Sequence, residues 1–516
     1  MLLPEQVANA GPPPSLHPHS RSKVVSGRVD HEPAFRDRRL AGYLVAAVFA
    51  VVAGLISHGT FAGSGDEPHY LTIAHSIAFD RDLDLANNYR DAALIGGDSF
   101  EPGAHAVEKN GRLLPVHDIG MPLAMAPVVR TAYWIAEHLP QSWLDATNIT
   151  RSLALRHLIS LLMALLTALL AREMFLVIRL LGASPRAAFL WSLLFAVTPP
   201  VLAHAFLFFT EIPSALITLF VFRRLRLQPV ESIGAAIAIG ALTGYLALIH
   251  IRNIGIVAGL MLIALPLVFD RSLPTRRFLG FAAAASMAIA ARVAITFWLW
   301  GTYLTTPHAA AGHPMPMSAT LREIFERASG LLFDRYFGLI AYAPIYLMAL
   351  AGLALLWRDR ARLTRDVMSV AACYLVPVLL PITNVHGWTG GWSPAARFLL
   401  PIAPLLWIGV YYFAARASAT GRIVIALMVT VQCVMDAYIW QHPKTLWRDE
   451  DGSIFFPGSL WLPAWTEGGA AMLFALLIIA AGAWTIVCLR IFARSSPSAP
   501  VPNYFSAANL RRSSNK

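Results

Sequence analysis

Apolar residues run through this chain in blocks too long for strands and too continuous for the faces of soluble helices. Such windows fall at approximately 41 to 60, 152 to 173, 187 to 206, 211 to 223, 233 to 250, 254 to 269, 278 to 300, 338 to 357, 367 to 384, 398 to 415, 422 to 440 and 468 to 490. A helix crossing a bilayer needs roughly 20 mainly apolar residues. The pattern therefore predicts an all-α polytopic membrane protein of about twelve spans, with 211 to 223 and 254 to 269 the shortest. The segment between the first two windows is patterned differently. Tyr70, Ile73, Ala74, Ile77 and Ala78 recur at helical spacing, with His69, Thr72, Ser76 and Asp80 on the opposite face, which predicts a helix lying along a membrane surface. Pro68 suits its first turn, and Asp66 and Glu67 stand where carboxylates favour the helix dipole. A second apolar piece, from Gly120 to Leu139, is interrupted by Pro122, Pro127 and Arg130 and reads as an interfacial or re-entrant element.

Composition supports the membrane reading and adds orientation. The 516 residues are 57% hydrophobic and 14% charged, outside the usual range of soluble domains. The net charge of +11 does not mark a nucleic-acid partner, because Lys and Arg sit in short clusters between apolar runs instead of along one face. Those clusters are the tail before Arg39, Arg179/Arg186, Arg223/Arg224/Arg226, Arg271/Arg276/Arg277, Arg358/Arg360/Arg362/Arg365, Arg416/Arg422 and Arg490/Arg494. Placed on one side, they put both termini in the cytoplasm and the long loops 61–151, 301–337, 385–397 and 441–467 outside. Residues 1–40 and 493–516 read as disordered cytoplasmic tails, and 416–492 as C-terminal transmembrane helices joined by the outer loop 441–467. Cys373, Cys433 and Cys488 lie in apolar runs, so neither a disulfide framework nor a thiolate metal site is implied.

Six stretches carry a resemblance: GDEPHYL (65–71), LLPVHDIGMPLAMAP (113–127), FFTEIPSAL (208–216), HIRNI (250–254), LLFDRYFGLIAYAPIYL (331–347) and GWTGGWSPAARFLLPIAPLL (387–406). With an Asp-Glu pair after the first span, the chain from 41 to 415 resembles the GT-C superfamily of membrane glycosyltransferases. It is similar in particular to the branch of bacterial protein O-mannosyltransferases and the lipid A aminoarabinose transferase. That resemblance implies a GT-C-like transmembrane catalytic domain over 41–415 in a bacterial inner membrane. It also implies transfer of a hexose or pentose from a polyprenyl-phosphate donor to a lipid, glycan or protein acceptor at the outer face. Asp66 matches the family's first-loop aspartate, the expected general base, with Glu67 beside it. The His117-Asp118-Ile119-Gly120 segment departs from relatives that carry a bulky aromatic and a second Pro-Gly unit there.

The residue types suit that chemistry. A carboxylate takes a proton from an acceptor hydroxyl, and arginine's planar fork pairs with phosphate oxygens. The candidate phosphate contacts are Arg397, Arg335 and Arg252, three arginines at outer span ends where a positive-inside bias should deplete them. Snorkelling is the plain alternative for each. Candidate substrate contacts are His117, Asp118, Tyr70, Trp388 and Trp392, the tryptophans flanking Gly390-Gly391; membership of an aromatic belt is the alternative for them. For Asp66 and Glu67 the alternative is helix capping, and Glu211 before Pro213 reads most simply as a capping acid. The DRDLDLANNYRD run has acids at calcium-loop positions, but Leu85 stands where the loop needs glycine, so a solvated turn is expected. No organic cofactor is called for, and a divalent metal is left open. A transporter or lipid-linked glycan flippase is the rival reading, disfavoured by the lack of internal duplication and by polar candidates gathered on one side.

Overall fold

The computed structural model describes residues 35–58, 65–91, 105–269, 273–303, 320–379, 387–391, 393–446, 462–464 and 470–492. Residues 1–34 and 493–516 of the expected tails, most of the 441–467 loop and Trp392 lie outside the described residues, and residues 35–40, expected in the first tail, are helical. Helix α1 (Phe35–His58) is followed by α2 (Glu67–His75), which widens into a π turn at Ser76–Asp80, and by α3 (Ala86–Arg90). Strands β1 (Ala106–Lys109) and β2 (Arg112–Pro115) pair antiparallel, with Ala106 opposite Pro115 and Lys109 opposite Arg112. Asn110 (φ 54°) and Gly111 (φ 74°) turn the hairpin in the left-handed region that a two-residue Asn-Gly connection requires. Helices α4 (Gly120–Glu137), α5 (Gln141–Thr147), α6 (Arg151–Leu180), α7 (Pro185–Val197), α8 (Val201–His204), α9 (Glu211–Arg226), α10 (Ile233–Ile249), α11 (Ile254–Phe269) and α12 (Thr275–Trp300) continue the chain. Then come α13 (Leu321–Phe333), α14 (Leu339–Tyr342), α15 (Ala349–Leu379), α16 (Ala403–Ala415), α17 (Ala419–Gln441) and α18 (Ala470–Val487).

Among the described residues, seven helical segments are long and apolar enough to cross a membrane: Asp37–Ile56, Arg151–Leu180, Ile251–Phe269, Thr275–Trp300, Arg397–Ala415, Ala419–Gln441 and Ala470–Phe492. Helices α7 and α10 are apolar but shorter. The other three expected windows differ for local reasons. The window at 211–223 is a 16-residue helix ending in Arg223, Arg224 and Arg226. The one at 338–357 breaks into α14, a 3₁₀ turn at Pro344–Met348 and the start of α15. The one at 367–384 begins within α15, whose backbone leaves helical geometry at Arg360 inside a charged stretch.

Close helix contacts hold the bundle. Gly240 and Gly244 of α10 lie directly on the backbone of Phe281 and Ala285 of α12, where a side chain would collide. Helix α15 packs on α16 and α11, and α1 on α6. Large side chains such as Trp407, Phe175, Phe195 and Phe413 fill the interior, while Leu427, Val434, Met472 and Ile479 stay exposed on the flanks.

Two local expectations are corrected. The chain is not purely helical, because the β1–β2 hairpin stands in the segment after α2. Helix α2 is buried on both sides rather than half-exposed: His69, Thr72 and Ser76 of its polar face are buried along with Tyr70, Ile73 and Ala74. Tyr89 and the residues flanking the hairpin cover that face, and α4 packs beside it. Helix α4 is itself continuous despite Pro122 and Pro127, and Arg130 reaches across to donate to the Ala78 carbonyl (2.9 Å).

Candidate functional site

Asp66 occupies the N-cap position of α2, but its backbone is already helical (φ −75°, ψ −10°) and its side chain makes no capping bond. An N-cap side chain reaches the free N–H groups from an extended conformation, so this geometry withdraws Asp66 from capping. Its carboxylate instead receives the Arg397 guanidinium, Nη2 to Oδ2 at 2.5 Å, and lies 3.8 Å from His105 Nδ1. Burial opposes ionisation of Asp66, but Arg397, His117 and His105 outweigh it and hold the carboxyl well below the usual carboxylate range.

Arg397 opens a 3₁₀ turn (Arg397–Ile402) and is presented by two unusual backbones. Ala396 before it is left-handed (φ 58°), and Gly390 (φ 83°) accepts from Arg397 Nη1 at 3.2 Å. A Cβ on Gly390 would stand 2.7 Å from Ser393 Oγ and 3.2 Å from Arg397 Cδ, so only glycine lets this turn close. The guanidinium lies over the Phe209 ring, 4.4 Å from its centroid, and Arg252 lies over Phe398 at 4.2 Å. Both arginines converge on one oxygen: Glu211 Oε1 accepts from Arg252 Nη2 at 2.6 Å and from Arg397 Nε at 2.8 Å. Asp66, Arg397, Glu211 and Arg252 thus form one continuous chain of ion pairs, with the Glu211 side chain fully buried. The Tyr70 hydroxyl lies among these charges, buried with no hydrogen-bond partner among the described residues.

On the other side of Asp66 stand three histidines. The hairpin closes residue 105 against residue 116, with the Val116 N–H donating to the His105 carbonyl (3.0 Å). His105 Nδ1 consequently lies 2.8 Å from His117 Nε2. His69 stacks on His105 with ring centroids 3.7 Å apart, and its Nδ1 is 2.6 Å from the Tyr89 hydroxyl. Burial, with His105 adding to it, pushes His69 down to about 3. Asp66, His105 and His117 offer ligand atoms within 4.8 Å of one another, a spacing that fits a divalent cation. Two imidazoles and one carboxylate suit zinc-like metals better than magnesium.

The remaining sequence candidates fall in several places. Glu67 Oε1 accepts from the Phe208 N–H at 2.7 Å, tying α2 to the turn before α9. Asp118 turns away from Asp66 into a buried pair with Arg292 (3.1 Å) and accepts from the Ile251 N–H (2.7 Å); burial pushes its carboxyl up despite Arg292. Arg335 donates to the Leu462 carbonyl through Nε (2.8 Å), which anchors the 462–464 segment. Trp388 is buried edge-on to Phe337 and packs against Gly330. The acids of the 80–84 run are taken up locally: Asp80 accepts from Asn88 (2.7 Å), Asp82 from Ser76 (2.9 Å) and Asp84 from the Leu113 N–H (3.0 Å). Sequence reasoning missed Glu211 as a partner and His105 altogether. The Asn110-Gly111 pair between alternating residues was the available signal for His105, and the surplus of arginines at the expected outer span ends was the signal for a buried acid.

No family model matches the chain, and no curated protein matches it. Among solved structures, it is similar to an archaeal oligosaccharyltransferase, AglB from Archaeoglobus fulgidus in complex with an inhibitory peptide and a dolichol-phosphate, at 12% identity and a TM-score of 0.42. The match covers 92% of this chain and 62% of that one, so the chain spans under two thirds of that protein's length. So loose a likeness assigns the chain neither a family nor an activity.

Proposed function

We propose that the chain is a multi-pass membrane glycosyltransferase that moves a sugar from a polyprenyl-phosphate carrier to an acceptor hydroxyl at the outer face of a bacterial inner membrane. The observation that carries this reading is the site's pairing of parts. A carboxylate released from capping meets the buried Arg397, and Arg252 joins the same chain of ion pairs through Glu211; the two tasks of the reaction need a carboxylate and such arginines. In the step, the bond from the sugar's anomeric carbon to the carrier phosphate breaks, and a bond from that carbon to the acceptor oxygen forms. The acceptor's proton goes to Asp66, and the leaving group departs as polyprenyl phosphate. Arg397 and Arg252 hold that departing charge, the type of contact for which a guanidinium fork is suited. Glu67 fixes the start of α2, and hence Asp66, through the Phe208 N–H. Were a divalent cation bound, Asp66, His105 and His117 would hold it and it would polarise an oxygen at that place, with Asp66 then serving as its ligand instead of as the base.

The test is release of polyprenyl phosphate by the purified protein, with a panel of polyprenyl-phosphate hexoses and pentoses and an outer-envelope lipid, glycan or peptide acceptor. Transfer that falls in Arg397→Ala and returns only partly in Arg397→Lys supports the reading, since Lys keeps the charge without the fork. Unchanged transfer in a folded Arg397→Ala sample overturns the phosphate assignment.

A further inference from the structure

Resting on that reading, we infer that Glu211 is a positioning residue whose buried charge decides when Asp66 is free to act. In the structure each nitrogen of the Arg397 guanidinium donates one bond: Nε to Glu211 Oε1 (2.8 Å), Nη1 to the Gly390 carbonyl (3.2 Å) and Nη2 to Asp66 (2.5 Å). While it is so held, Asp66 has Oδ2 occupied and is a weaker base, because the guanidinium stabilises its charged form. Of the two carboxylates on Arg397, Glu211 is wholly buried, whereas the Asp66 side chain is 23% exposed. The Asp66 contact is therefore the one an arriving anion can displace.

Counting charge shows what Glu211 adds. Arg252 and Arg397 carry two positive charges, and Asp66 and Glu211 two negative ones, so the four balance. A sugar-phosphate carrier is a phosphodiester and brings one further negative charge. With Glu211 already matching one arginine, the phosphate matches the other, and Asp66 becomes the surplus anion and is released. Without the Glu211 charge, phosphate and Asp66 together balance the arginines, and Asp66 stays bound. Glu211 also keeps the two neighbouring guanidiniums from sharing a single counter-charge, an arrangement that partial burial makes unfavourable. Its place is fixed by segments far apart in the chain: the start of α9, the turn at Ile251–Asn253 and the turn at Arg397–Ile402.

The consequence is a split in kinetics that a merely structural carboxylate would not give. Glu211→Gln keeps an oxygen for both arginines and removes the charge. It should lower kcat by about tenfold or more, with the donor KM unchanged or lower. Glu211→Asp keeps the charge on a shorter arm and should recover about threefold or more of the lost kcat. Both variants are compared with wild type in steady-state transfer from a polyprenyl-phosphate sugar, alongside thermal unfolding. A Gln variant with wild-type kcat, a rise in donor KM at constant kcat, or equal kcat loss in Gln and Asp overturns the inference while leaving the proposed function standing. If Gln does not fold, an Asp variant that folds and turns over within about tenfold of wild type supports the inference, and an inactive one overturns it. Wild-type protein that transfers no sugar from any such donor overturns the proposed function and this inference together.

Discussion

Replacing Gly390 and Gly391 one at a time by alanine separates backbone strain from the placement of Arg397. Both glycines are left-handed, at φ 83° and 64°. Alanine at either position incurs about 1–2 kcal/mol for that conformation. Their surroundings differ. A Cβ at 391 meets nothing within 4 Å, whereas one at 390 stands 2.7 Å from Ser393 Oγ and 3.2 Å from Arg397 Cδ. The 390 carbonyl also accepts from Arg397 Nη1, so any shift of this turn is passed to the guanidinium. A misplacement of about 1 Å in a positioning group can cost about 10²-fold in rate. Gly390→Ala is therefore expected to lose roughly 10- to 100-fold in transfer and about 1–3 kcal/mol in stability. Gly391→Ala should show the strain alone, with transfer within about twofold of wild type. The assay is steady-state release of polyprenyl phosphate beside thermal unfolding in the same detergent. Equal transfer by the two variants, or a greater loss at 391, would refute the argument that the turn positions Arg397.

Three further outcomes are expected. Asp118→Asn leaves the Arg292 guanidinium buried without its counter-charge, and thermal unfolding should show a loss of roughly 3–5 kcal/mol; an unchanged midpoint would show the pair to be dispensable. Arg335→Ala removes the bond to the Leu462 carbonyl and should free the 462–464 segment to protease while donor KM stays within about twofold, unlike Arg397→Ala; a donor defect equal to that of Arg397→Ala would restore Arg335 to the phosphate site. Zinc added to metal-free protein should raise its stability, by about 2.7 kcal/mol at a hundredfold excess over Kd, and lose that effect in His105→Ala and His117→Ala; no shift in wild type would exclude metal binding by this cluster.

The parts legible in the sequence were those set by hydropathy over many residues. The long helices α1, α6, α12, α17 and α18 appear as continuous apolar windows because lipid-facing and core-facing positions are both apolar. Where charge or proline interrupts the pattern, as at Arg360 or around Pro344, windows no longer correspond to single helices. The amphipathic spacing after Pro68 correctly marked a helix but could not say what covers its polar face, since Tyr89 and His105 come from later in the chain. Asp66 and Arg397 were both named from sequence, yet their contact joins residues 331 positions apart. Glu211 had the local look of a capping acid, and only the fold brings Arg252 and Arg397 onto one of its oxygens. Arg335 was expected at an outer span end like the other two arginines but meets a backbone carbonyl instead.

Asp66→Asn tests the central claim most directly. Asparagine keeps the shape and an oxygen for Arg397 Nη2, and no capping bond is at stake because Asp66 makes none. It removes the proton acceptor, and general-base contributions are typically about 10²–10⁴ in rate. Turnover of the purified variant with a polyprenyl-phosphate sugar that wild type uses, measured beside its thermal unfolding, should fall by at least about 10²-fold in a sample that remains folded. Near-normal turnover in such a sample would contradict the account and remove Asp66 from the chemistry.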